Sequence, residues 1–182
     1  MTVKQILGRC LVKLGETDFT SKPMLSESET ATLDRLLSAA NFIYHEICAN
    51  YLPQIHTEAV ELDGSGELQY SALERRIIRP LRLIKDGYLK YFKGGATKLQ
   101  SDFSGAAELV YSYLPPDLAL NDTVDDTRLL PWIFEDGICG EYAFQNGLYE
   151  MAAAFDTKFR DAAARQKYRG RNITWRARRW TV

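Results

Sequence analysis

The chain has 182 residues, 46% of them hydrophobic and 26% charged, which suits one compact domain with a real core and excludes a chain disordered over most of its length. No stretch approaches the roughly 18 consecutive apolar residues of a membrane helix, and Met1-Thr2-Val3-Lys4-Gln5 lacks the basic and apolar regions of a signal peptide, so a soluble protein is expected. The formal net charge of -1 is unevenly spread: Asp161 is the last acidic residue, seven cations follow it between Arg165 and Arg179, and the body before them carries the compensating negative charge.

The first predicted element is a short amphipathic helix over about 3-15, where Val3, Ile6, Leu7, Cys10, Leu11 and Leu14 recur at spacings of three and four and Gly15 ends the run. Ser26 and Glu29 have the spacing of a capping box, which opens a long helix over about 27-51. Its apolar stripe runs through Leu33, Leu36, Leu37, Ala40, Ile43, Tyr44 and Ile47, and Pro53 blocks its extension. From Ile55 the period changes to two, and a β-rich insertion of about five short strands is expected over about 55-114, with turns at Asp63-Gly64-Ser65-Gly66, Asp86-Gly87 and Gly94-Gly95. Tight turns favour an antiparallel meander over parallel βαβ units, whose crossovers need about a dozen residues or more. Pro115-Pro116 ends the sheet, an acidic loop from Asn121 to Thr127 follows, and Pro131 suits the first turn of a helix over about 131-146. Asn146-Gly147 marks its end, and a last helix runs over about 148-168 with Met151, Ala152, Phe155, Phe159 and Ala162 on one face. The expected fold is α+β and mainly α: one domain over 1-168, a four-helix bundle with an antiparallel β-meander between its second and third helices. Residues 169-182 form an extended basic arm.

Residues able to do chemistry are sparse. His45 and Cys48 stand three apart on the long helix and would need His56 to make three zinc ligands; a fourth is missing, so no metal is expected. Gly94-Gly95-Ala96-Thr97-Lys98 lacks the spacing of a phosphate-binding loop. Glu61, Asp63 and Glu67, and the group Asp122, Asp125 and Asp126, lie among turn residues, where solvated acids are ordinary. With two histidines and no motif that sets either beside a nucleophile, no catalytic residue, enzyme activity or cofactor is expected. The cysteines, Cys10, Cys48 and Cys139, sit among apolar neighbours and read as buried thiols.

Two features point to partners. Gly137, Gly140 and Gly147, with Phe144, suggest close approach of another helix from the same chain or a neighbouring subunit, since glycine within a helix costs about 1 kcal/mol relative to alanine. The arm carries Arg169, Arg171, Ile173, Trp175, Arg176, Arg178, Arg179 and Trp180, with two of the three tryptophans of the chain. Tryptophan and arginine are the residues most enriched at binding hot spots, and the alternation at Ile173, Trp175 and Ala177 suits a strand added to a partner's sheet edge. Folding back on its own domain and binding nucleic acid are the alternatives for this arm.

The order of these patterns resembles the head-to-tail connector, or adaptor, proteins that form the ring beneath the portal of tailed phages. The resemblance rests on Leu14-Gly15-Glu16 after the first helix, Arg79-Pro80-Leu81-Arg82-Leu83-Ile84 before Asp86-Gly87, Leu109-Val110-Tyr111-Ser112-Tyr113-Leu114-Pro115, Leu130-Pro131, and Phe155-Asp156-Thr157-Lys158-Phe159. It implies a homo-oligomeric ring, expected to be dodecameric, in the virion neck after assembly in the host cytoplasm. It also implies a DNA channel, a C-terminal arm on the portal protein and a further neck or tail component below. A DNA-binding protein using its basic, tryptophan-containing tail is the alternative.

Overall fold

The computed structural model describes residues 1–124 and 129–169. Asp125, Asp126 and the arm from Gly170 onward, with Arg171, Ile173, Trp175, Arg176, Arg178, Arg179 and Trp180, lie outside the described residues.

Helix α1 (Val3–Lys13) starts at a capping box in which Thr2 accepts from the Gln5 N–H and Gln5 reaches back to the Thr2 N–H. Its buried stripe is Val3, Ile6, Leu7, Cys10 and Leu11. Helix α2 (Glu27–Glu46) starts at the Ser26–Glu29 capping box, buries Leu33, Leu36, Ala40 and Ile43, and runs on into a π-helical turn (Ile47–Tyr51). Helix α3 (Pro131–Gln145) differs from these two. Ile133, Phe134, Gly137, Ile138, Cys139, Gly140 and Ala143 are buried, and Glu135 and Asp136 with them. A helix covered on nearly every side belongs in the middle of a core. Helices α1, α2 and α4 (Tyr149–Arg169) accordingly all pack on α3.

The intervening segment forms two antiparallel sheets. In the larger, β1 (Gln54–Leu62) pairs with β7 (Gly105–Tyr113) along its whole length, from Gln54 opposite Tyr113 to Leu62 opposite Gly105. On the far side of β7 lies β3 (Ile77–Lys85), followed by the edge strand β4 (Tyr88–Lys90). The pairing of β3 with β7 shifts register around Pro80, which has no N–H to offer the ladder. The smaller sheet has the order β2 (Glu67–Gln69), β6 (Lys98–Ser101), β5 (Phe92–Gly94). Leu68 and Leu99 from it join Val60, Leu62, Leu83, Leu109 and Tyr111 in one apolar cluster, separate from the core of the helices.

This architecture overturns the expected four-helix bundle with a single meander. The chain is mixed α and β, with four helices and two sheets among the described residues. A meander pairs each strand with the next, whereas here the first and last strands pair and β7 becomes central. The long β1 and β7 match nine residues each and bury alternate apolar side chains against the smaller sheet, which three short strands could not do within one ribbon.

Candidate functional site

The carboxylates that stood out in the sequence are tied into local structure. Asp63 accepts from the Ser65 and Glu67 N–H groups and the Ser65 hydroxyl, and these bonds hold it below the usual aspartate range, Glu67 contributing most. Glu67 pairs with Lys98 at 2.6 Å, and Asp122 accepts from the Ala119 N–H. Glu61 is exposed on β1. The Gly94-Gly95 turn is closed by the Gly95 N–H donating to the Lys98 carbonyl. His45 faces Asp117, its Nε2 3.4 Å from Oδ1 and outside hydrogen-bonding geometry, while Cys48 is buried. His56 stands on β1 and faces Glu58 and Glu74 instead.

Between α1 and α3 lies an ionic cluster that the sequence did not announce. Glu135 and Asp136 are buried, and the Lys13 ammonium reaches both, at 3.0 Å and 2.7 Å, with Arg9 3.4 Å from Glu135. Burial alone would lower the Lys13 pKa, but hydrogen bonds and charge from Asp136 and Glu135 outweigh it and raise it. Beside the cluster, the Cys139 thiol donates to the Cys10 carbonyl and the Cys10 thiol to the Glu135 carbonyl. Contact with Cys139, together with burial, pushes the Cys10 thiol far up, which makes it inert as a nucleophile. The cluster therefore cements α1 to α3.

The surface is more informative. Between α2 and α4, with α3 as its floor, runs a groove of about 870 Å³. Its walls include Phe42, Phe144 and Tyr149, which are 56%, 59% and 67% exposed. Phe144 and Tyr149 meet edge to face at 5.8 Å and form one continuous aromatic wall. Glu46, Glu141 and Asp156 lie along the same groove, and Arg160 is held there by Asp156 at 2.8 Å. Leu148 and Met151 add further exposed apolar surface at the start of this helical hairpin.

The glycines beside the groove serve packing within the subunit. A Cβ on Gly137 would stand 2.7 Å from Ile43 Cγ2 and 3.0 Å from the Phe159 ring, and one on Gly140 would stand 3.3 Å from the Asp156 nitrogen. Gly147 has φ +75° and open space around it; it turns the chain from α3 into α4, where the Leu148 N–H donates back to the Ala143 carbonyl. Of the arm, only the Arg169 backbone is described, as the last residue of α4.

The sheets hold a second cationic region. Between Arg75 and Lys98 there are eight cations and one acid, Asp86. Among the described residues, Arg76, Arg79, Arg82, Lys90 and Lys93 make no ion pair, and Tyr88 and Tyr91 beside them are largely exposed. This excess is visible in the composition of the segment, though it is less dense than the basic run at the C-terminus. Compared with known proteins, the chain matches no family model and no curated protein sequence.

Proposed function

We propose that this chain is a structural assembly subunit without enzymatic activity, a head-to-tail connector that forms a homo-oligomeric ring in the neck of a tailed phage. One observation carries the reading: the open aromatic groove between α2 and α4, walled by the exposed Phe42, Phe144 and Tyr149. Exposed aromatic side chains clustered in one groove suit burial against a neighbouring copy, which would seat its own apolar residues there. The arm from Arg169 to Val182 then docks on the portal protein, and the sheets are left to face the next neck or tail component or the DNA in the channel.

Native mass measurement of the purified chain tests the ring. Assembly into a closed oligomer, lost in Phe144→Asp and Tyr149→Asp with an unchanged urea midpoint, supports it; a chain that stays monomeric at every concentration and in the presence of its portal refutes it. Removal of residues 169–182 should abolish portal binding while sparing the subunit fold.

A second reading, DNA binding, is favoured by the cations of the β3–β5 region that make no ion pair among the described residues, together with the basic composition of the arm. It requires affinity for duplex DNA that falls steeply with salt, with a slope of about 0.9 per phosphate contacted. Salt-independent association with the portal separates the first reading from this one.

A further inference from the structure

We propose that His56, Glu58 and Glu74 form a binding site for a divalent transition-metal cation of the Zn²⁺ type, which ties the loop before β3 to the sheet.

The site follows from strand geometry. His56 and Glu58 are two apart on β1, so both side chains leave the same face of the sheet. Glu74 arrives from the loop between β2 and β3, where its N–H donates to both Glu58 oxygens, at 3.1 Å and 3.3 Å. One potential ligand atom from each of the three residues lies within 4.8 Å of the others. Glu58 and Glu74 are thus brought together, yet neither has a lysine or arginine partner among the described residues. Arg75, the nearest cation in sequence, stacks on the Tyr113 ring at 4.6 Å instead. Two carboxylates side by side, with a histidine but no lysine or arginine partner among the described residues, make a ligand set that suits a bound cation.

His56 supplies an independent observation. Its side chain is only 24% exposed, and among the described residues it makes no hydrogen bond. Edge contacts with Tyr111 at 5.7 Å and Tyr113 at 6.1 Å fix the ring, so Nε2 is aimed at Glu74 Oε2. That separation is 3.4 Å, long for an N–H···O bond, whose usual length is about 2.9 Å. It matches the edge of a zinc tetrahedron instead: bonds of about 2.0 to 2.2 Å from nitrogen and oxygen place two ligands roughly 3.3 to 3.5 Å apart.

The surroundings also orient the carboxylate. The buried Tyr111 hydroxyl donates to Glu58 Oε2 at 2.6 Å, the kind of outer hydrogen bond that holds a metal-binding carboxylate in place. Three protein ligands of mixed imidazole and carboxylate type leave a fourth position for water, on the side where Glu74 meets solvent. The bound ion would pin the Glu74 loop beside Tyr113, Leu114 and Pro115, where the sheet joins the helices.

The test uses the full chain, freed of metal with a chelator and titrated with Zn²⁺ by calorimetry and with Co²⁺ by visible absorption. One equivalent should bind saturably, raise the thermal midpoint, and give a Co²⁺ spectrum without thiolate bands. Glu74→Gln, at an exposed position, should weaken binding at least about tenfold, and Tyr111→Phe, which removes the orienting hydrogen bond to Glu58 and keeps the ring, by about tenfold. His56→Asn should do as much as Glu74→Gln. No saturable binding below about 1 mM, equal affinity in Glu74→Gln, or thiolate bands from Cys10, Cys48 or Cys139 would each overturn the proposal.

Discussion

Replacing Gly137 with alanine asks directly what the glycines of α3 are for. On an exposed helix this exchange stabilises by about 1 kcal/mol, because alanine loses less backbone entropy. In this structure the new methyl would sit 2.7 Å from Ile43 Cγ2 and 3.0 Å from the Phe159 ring, and both neighbours are almost fully buried. Ile43 is β-branched within a helix and has little χ1 freedom to retreat, and Phe159 is held by Tyr51 edge to face at 5.9 Å. Overpacking costs about 1 to 3 kcal/mol, and contacts of 2.7 Å and 3.0 Å with two neighbours that cannot retreat belong in the upper half of that range, about 2 to 3 kcal/mol. After the propensity gain of about 1 kcal/mol, Gly137→Ala should lose about 1 to 2 kcal/mol. Gly140→Ala provides the internal control. Its Cβ meets the Asp156 nitrogen at 3.3 Å and Phe155 Cβ at 3.4 Å, a mild crowding that nearly cancels the propensity gain, so a change within about 0.5 kcal/mol is expected. Urea unfolding reads both, with a lower midpoint and an unchanged slope for Gly137→Ala alone. If Gly137→Ala were as stable as the parent, the tight α2–α3–α4 contact described above would be wrong, and the glycine would have to serve a neighbour outside the subunit.

Other predictions follow from the ionic cluster, the titrating groups and the arm. Lys13→Met leaves Glu135 and Asp136 buried, with the exposed Arg9 on Glu135 as their remaining ion-pair partner among the described residues, and should cost about 2 to 3 kcal/mol in urea unfolding; adding Glu135→Gln and Asp136→Asn should recover part of this. Lys13 and Tyr111 both hold their protons more tightly when folded, Lys13 through its carboxylate partners and Tyr111, pushed up to about 12, through burial and then Glu58. Their stabilising effect is complete below the unfolded values of 10.5 and 10.0 and is lost as pH rises through the raised folded ones, so stability should fall in this alkaline range, less so in Tyr111→Phe. Trp175→Ala or Trp180→Ala should weaken assembly and leave the urea midpoint of the subunit in place; loss of folding would show that these tryptophans belong to the core.

Several local features were legible without any tertiary contact. The Ser26–Glu29 capping box, the stripe of α1, the turn at Asp63 to Gly66 and proline at the start of α3 all depend on neighbours a few residues away, and each is formed. The change of period at Ile55 located the β-rich segment for the same reason. Strand partnership was not legible, because β7 has two apolar-patterned partners and the choice depends on which arrangement buries Leu83, Leu109 and Tyr111 against Leu68 and Leu99. The buried acids of α3 were equally hidden: Glu135 and Asp136 look like surface residues until α1 brings Lys13 across them.

The candidate sites divide in the same way. The basic, tryptophan-bearing arm and the cationic run from Arg75 to Lys98 are visible as composition, and His56 and Glu58 as an alternation on one strand. The aromatic groove needs α2 and α4 on opposite sides of α3, and Glu74 reaches His56 only through the path of a loop. Sequence determined the helices, their caps and the extent of the β-rich segment, since these rest on interactions within one or two turns of chain. It did not determine the seven strands in two sheets found among the described residues, where about five strands of one meander were expected. The tertiary structure alone decided which helix became central, which strands paired and which side chains met, because those choices minimise exposed apolar surface over the whole molecule at once.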